Sequence, residues 1–198
     1  MASRGLRRRR QASVAELFPP PGQWTEEDYF ALPDTHRYVE LSEGELIVPP
    51  HPTNRHQVAV LELAVRLREF VRARDLGEVR IAPLPVRLWP GKIREPDIFF
   101  FLKAHADRIG EQVCGVPDLI IEVTSPSTSH VDRMEKFQEY ARAGVLEYWI
   151  VDPEARTVEV YTLRRGAYVL QGKWGPGETA ASGLLEGFSV RVEEVLGD

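Results

Sequence analysis

Hydrophobic and polar positions switch between two periods along this chain, and the switches predict its elements. Val60, Leu63, Leu67, Phe70 and Val71 recur at helical spacing and predict a long helix from Thr53 to Arg74, stopped by Gly77. Before it, Tyr38-Val39-Glu40-Leu41 and Glu45-Leu46-Ile47-Val48 flank Ser42-Glu43-Gly44, the pattern of a β-hairpin. Thr25 with Asp28 three residues later marks a capped helix start, with an end near Pro33. Strand-like runs at Glu78 to Leu88 and Pro96 to Leu102 are separated by Trp89-Pro90-Gly91, and a polar excursion leads to a buried strand at Asp118 to Val123. Ser125-Pro126-Ser127-Thr128 opens a second helix over Asp132 to Ala143, closed by Gly144. Strands follow at Glu147 to Val151, Thr157 to Leu163 and Ala167 to Gln171, with a weaker one around Phe188 to Val192. Residues 1–23 show no period and end in Pro19-Pro20-Pro21-Gly22, which predicts a flexible arm ahead of one domain over 24–198. The expected fold class is α/β: a mixed sheet flanked by helices, with a short C-terminal β extension.

Composition removes several function classes. No apolar run approaches the ~20 residues of a membrane span, so an integral membrane protein is not expected. Cys114 is the single cysteine, and no Cys/His cluster has zinc-finger spacing, so a disulfide scaffold and a structural zinc site are excluded. A cytoplasmic location is expected. The net charge of -5 conceals five arginines within the first ten residues, leaving -10 for the rest. No apolar stretch follows those arginines, so they do not read as an export signal. A generic basic coat for nucleic acid is excluded as well, and a polyanion must be met by a local patch or a metal ion. One such patch lies between Arg55 and Arg94, where nine basic residues stand against four acids. Arg55, His56, Arg66 and Arg94 are its candidate nucleic-acid contacts. A solvated, ion-paired helix face is the alternative, and Glu62 with Arg66 sits at the favourable spacing for it.

Buried strands should be apolar, because an unpaired carboxylate inside one costs several kcal/mol. Three acids break that rule. Glu40 interrupts Tyr38-Val39-Leu41, Asp97 stands at Pro96-Asp97-Ile98-Phe99-Phe100, and Glu122 lies in Leu119-Ile120-Ile121-Glu122-Val123. Carboxylates gathered at adjoining strands with no basic partner in the same strands are what Mg²⁺ or Mn²⁺ requires. Asp118 shares a strand face with Glu122 by even spacing and reads as a strand-start residue.

Pro96-Asp97, followed 25 residues later by an acid inside an apolar strand, resembles the PD-(D/E)XK nuclease superfamily. The match extends through Glu43-Gly44-Glu45-Leu46, Glu95-Pro96-Asp97, Pro117-Asp118-Leu119-Ile120-Ile121-Glu122-Val123, Ser125-Pro126-Ser127-Thr128, Asp132, Lys136, Tyr140 and Glu147-Tyr148-Trp149. Together these segments resemble the Uma-type restriction endonuclease family over roughly residues 24 to 165. The resemblance implies a restriction-endonuclease-like fold and a Mg²⁺-dependent endonuclease acting on DNA. Asp97, Glu122, the Val123 carbonyl and Glu40 would serve the metal, and Lys136 would position the nucleophile or stabilise developing charge. The superfamily's lysine, two residues after its second acid, is Thr124 here, and the family likeness implies that Lys136 on the following helix replaces it. Tyr140, four residues on, shares the face of Lys136 and is a further candidate for contact with nucleic acid. A homodimer is expected, since cutting both strands takes two sites. Two other readings stand beside this one: a decayed nuclease fold acting as a binding or assembly module, motivated by Thr124, and a phosphohydrolase of small nucleotides.

Overall fold

The computed structural model describes residues 18–33, 38–125 and 132–197, with the backbone alone for Asp132. Most of the predicted arm and the Pro126-Ser127-Thr128 part of the predicted helix start lie outside those residues. α1 (Glu26–Phe30) begins with the expected reciprocal cap: Asp28 N–H donates to Thr25 Oγ1, and Thr25 N–H donates to Asp28 Oδ2. β1 (Glu40–Ser42) and β2 (Glu45–Ile47) form the predicted hairpin. Glu43 and Gly44 both have positive φ, the signature of a tight two-residue turn. Gly44 is required there, because a Cβ would meet the Gly22 carbonyl at 2.5 Å.

α2 (Asn54–Ala73) buries Ala59, Leu63, Leu67 and Val71 on one face. It ends three residues earlier than Gly77, at an Arg74 cap followed by Asp75 with φ 54, a left-handed position that aspartate tolerates. The single strand predicted over Glu78 to Leu88 is two. β3 (Gly77–Ile81) and β4 (Val86–Trp89) belong to different sheets, because Pro83 and Pro85 between them cannot donate to a ladder. β4 turns through Pro90-Gly91 into β5 (Lys92–Arg94), whose two charges hid it from a hydrophobic pattern.

β6 (Ile98–Leu102), β7 (Leu119–Val123), β8 (Glu147–Asp152), β9 (Thr157–Arg164) and β10 (Ala167–Trp174) complete the larger sheet, in the order β10-β9-β8-β7-β6-β3. Only β7 and β8 run parallel, joined by a π-helical turn at Asp132–Lys136 and α3 (Phe137–Ala143). Gly144 closes α3 in the left-handed conformation, as predicted. The smaller sheet has the order β2-β1-β5-β4.

Period-two alternation divides the core. Ile98, Phe100, Ile121, Val123 and Trp149 face α2, while Phe99, Phe101, Ile120, Tyr148 and Ile150 face α3. The C-terminal segment adds β11 (Thr179–Ala181), β12 (Ser189–Arg191) and α4 (Val192–Leu196). Its Leu185, Phe188, Val190 and Val195 cover the α2 side of the core. The weak strand expected near Phe188 is β12, and its last residues turn helical instead.

One buried carboxylate ties this extension down. Glu147, 0% exposed, accepts from Trp149 Nε1 (2.7 Å), Ser182 Oγ (2.6 Å), Gly183 N (2.6 Å) and Leu184 N (2.8 Å). Four donors satisfy the charge without a cation in reach among the described residues. Replacing Glu147 by Ala strands those donors and is expected to lower stability by about 3 kcal/mol. Glu147→Gln, which keeps one carbonyl acceptor, should lose less. Urea unfolding of both variants at unchanged m-value checks the order.

Candidate active site

Three elements converge where β6 begins and β7 ends. Ile98 pairs with Ile121 across these antiparallel strands, so Asp97 comes level with Glu122. Asp97 Oδ2 accepts the Val123 N–H at 2.8 Å, and its Oδ1 lies 3.1 Å from His56 Nε2. His56 is positioned by the N-cap of α2, where Thr53 Oγ1 accepts the His56 N–H. Strand alternation turns Glu122 toward α3, among Ile120 and Tyr148. There its Oε1 accepts from Lys136 Nζ at 2.9 Å and from Tyr140 Oη at 2.6 Å. Lys136 Nζ also lies 3.7 Å from Glu40 Oε1. Glu40, Asp97, Glu122, Val123 and Lys136 thus line one pocket, which His51, His56 and Glu95 share.

Other expectations are corrected. Arg94 is not available to a nucleic acid: it is 0% exposed, clamped between Glu40 (2.7 Å) and Glu139 (2.8 Å). It supplies a basic partner to Glu40 from a neighbouring strand, since β5 pairs directly with β1. Tyr140 is likewise fully buried, and its hydroxyl orients Glu122 instead of meeting solvent. Arg66 is committed to Glu62 and Glu194, the ion-paired helix face. Arg55 remains exposed, with a loose 3.6 Å contact to an equally exposed Glu154 that is worth little. Asp118 lies at the opposite end of β7 from Glu122, where it accepts the Leu102 N–H and contacts His105.

Glu95 is the site residue that the sequence reading passed over. It lines the pocket and receives Tyr29 Oη, yet its Oε2 is shielded and accepts no hydrogen bond among the described residues. The signal was its place two positions before Asp97, in the same acidic strand start.

Electrostatics follow from a simple imbalance. Glu40, Glu122 and Glu139 surround the cations Lys92, Arg94 and Lys136, the more exposed Glu43 and Glu135 reach the same cations, and Glu95 and Asp97 complete the pocket wall, so acids outnumber the fixed cations. Glu40 and Glu139 sit inside the balanced part: burial opposes their ionisation, but Lys136 and Arg94 at the first, and Arg94 and Lys92 at the second, outweigh it and hold both below the usual range. Glu95 has no such partner. Burial, helped by the charge of Glu40, pushes its carboxyl up to about 7.

A divalent cation matches this excess. Among the described residues no three acidic, His or Cys side chains form a ready-made cage. Mg²⁺ does not need one, since it binds through one or two carboxylates and keeps several waters. Asp97, Glu122 and the Val123 carbonyl suit it, and the orphaned Glu95 oxygen is the kind of vacancy a hard cation or its waters would satisfy.

A mixed sheet between helices, with an acidic, lysine-bearing pocket at its centre, places the chain in the class of nuclease-like α/β folds. Its structure is similar to that of a putative nuclease belonging to DUF820 from Anabaena variabilis, with a TM-score of 0.71 at 20% identity, over 87% of this chain and 97% of that one. The model of the Uma2 family, described as putative restriction endonuclease, matches residues 26–193, and the chain belongs to that family. No curated protein matches the chain. Among the described residues no helix is long and apolar enough to cross a membrane.

Two outcomes test these electrostatics. Because the Glu95 carboxyl is raised in the folded state, the fold binds its proton more tightly than the unfolded chain does. That contribution is complete below about pH 4.5 and is lost as pH rises toward about 7. In chelator-treated protein, Glu95→Gln should flatten the fall in stability across this window, measured by thermal unfolding at stepped pH. Arg94→Ala removes the cation shared by Glu40 and Glu139, leaving the first to Lys136 and the second to Lys92, and should cost about 3–5 kcal/mol by urea unfolding.

Proposed function

We propose that this protein is a divalent-metal-dependent endonuclease that hydrolyses phosphodiester bonds of DNA. The observation that carries the reading is the meeting of Asp97 and Glu122 at adjoining strand ends with Lys136 Nζ 2.9 Å from Glu122. Family membership and the nuclease-like fold support the nuclease class. Asp97, Glu122 and the Val123 carbonyl would hold Mg²⁺ or Mn²⁺, which when bound polarises a phosphoryl oxygen and lowers the pKa of a coordinated water. The remaining roles belong to the chain's own groups. His56 and the Val123 N–H hold Asp97 in one orientation, and Tyr140 does the same for Glu122. Lys136 brings a fixed positive charge to the pocket wall, where it positions the attacking water or stabilises the charge that develops on the phosphate. Glu40, itself held by Arg94, keeps the lysine on that wall. Hydrolysis adds water across the P–O bond and yields a phosphomonoester end and a hydroxyl end.

The decayed-nuclease reading rested on Thr124. Its side chain is buried, and Lys136 occupies the place beside Glu122 that a lysine there would serve, which favours an intact site. Severing a duplex would take two copies of the chain, and its single buried thiol, Cys114, suits the reducing cytoplasm.

The test is cleavage of supercoiled plasmid and single-stranded DNA with Mg²⁺ or Mn²⁺. Asp97→Asn and Glu122→Gln should abolish nicking, and Lys136→Ala should lower it by about 10²–10³-fold. Nicking that survives both carboxylate changes would refute the site. Binding of Mn²⁺ no tighter to the parent protein than to the double carboxylate variant would favour the decayed reading.

A further inference from the structure

Away from the pocket, Arg68 and Arg72 near the end of α2 and Arg80 on β3 line a cleft of about 430 Å³. Arg68 and Arg72 lie one helical turn apart, a like-charge spacing that weakens a helix by a few tenths of a kcal/mol. Both are exposed, and neither forms an ion pair among the described residues. Of the acids of the cleft, Asp75 pairs with Lys103 outside it, and Glu78 pairs with Arg80, which is therefore the neutralised member of the three. What remains is the pair of open guanidinium forks of Arg68 and Arg72, the donors that receive phosphate oxygens.

We propose that this cleft is a second phosphate-binding site, holding the backbone of the same nucleic acid whose scissile bond lies in the pocket. The inference rests on the nuclease reading and extends it to the length of substrate that the protein grips. α2 is the ruler. His56 stands in the pocket, and Arg68 and Arg72 lie about 18 and about 24 Å farther along the helix axis at about 1.5 Å per residue. At about 3.6 residues per turn they also lie about 120° and about 160° round the axis from His56, so a duplex advancing about 3.4 Å per base pair must span at least about five to seven base pairs, and pass round the helix, to reach the cleft from the bond being cut. Free inorganic phosphate offers the same oxygens to the same forks, and length dependence separates the two sources.

The experiment measures duplex binding by fluorescence anisotropy in chelator, where nothing is cut, for the parent protein and the double variant Arg68→Gln/Arg72→Gln. Gln retains helix propensity, so the variant should fold. Parent affinity is expected to rise once the duplex extends more than about seven base pairs to one side, and the variant should lack that rise. With two phosphate contacts removed, the variant should lose about tenfold less affinity than the parent between 50 and 200 mM salt. Equal affinities and salt slopes for the two proteins on long duplexes would overturn the cleft and leave the nuclease reading intact. Parent protein that neither binds nor cuts any nucleic acid would overturn that reading and the cleft with it. Stabilisation of the parent, but not the variant, by inorganic phosphate with no dependence on duplex length would assign the cleft to a free anion and overturn its polymer role.

Discussion

The structure turns on one fully buried guanidinium. Arg94 lies between Glu40 of the small sheet and Glu139 of α3, and Lys92 two residues earlier reaches the same Glu139. Charges taken out of water persist only when each is met, and removing any one leaves its partners uncompensated at a cost of several kcal/mol. The network therefore acts as a weld between β1, β5 and α3. Lys136, one helical turn before Tyr140, extends it to Glu122 on the central strand. The positions of the small sheet, the helix and the strand end are thus fixed relative to one another by charge as well as by the apolar cluster of Val86, Leu88, Ile120 and Tyr140.

The weld is balanced, and the pocket beside it is not. Asp97, held by His56, and Glu95 lie at the edge of the network, and burial together with the charge of Glu40 raises the carboxyl of Glu95. A site where acids outnumber fixed cations at a strand end is unfavourable for the empty protein and favourable for a hard cation. Local instability at the pocket and stability of the frame are thus separated in space. The frame draws on the aromatic and aliphatic layers on both faces of the six-stranded sheet. It also draws on Glu147, which through its hydrogen bonds from Ser182, Gly183 and Leu184 fastens the C-terminal segment at the end of β8 remote from Glu122.

α2 serves both parts. Its buried face packs on the sheet, its first turn delivers His56 to Asp97, and its last turns carry the arginines of the cleft beside β3. A straight helix with polar groups at its two ends holds those ends at a constant separation.

Local anomalies in the chain were sufficient to single out Asp97 and Glu122: an acid in or beside an apolar strand is improbable without a reason, and that reason acts within a few residues. The long helix, the hairpin and the alternating strands were equally legible, because their hydrophobic periods are local. Lys136 could be named only through the family likeness, since a lysine on an amphipathic helix has many solvated alternatives. Arg94 was misassigned to a surface because Lys92-Ile93-Arg94 has the pattern of an exposed strand, and the carboxylates that justify its burial lie 54 and 45 residues away. The division of Glu78 to Leu88 between two sheets, the missing partner of Glu95, and the engagement of Arg66 with Glu194 are of the same kind. Elements and their anomalies are properties of neighbours in sequence, whereas charge compensation in a low-dielectric interior depends on which distant groups the fold brings within about 3 Å, and only the tertiary structure decided that.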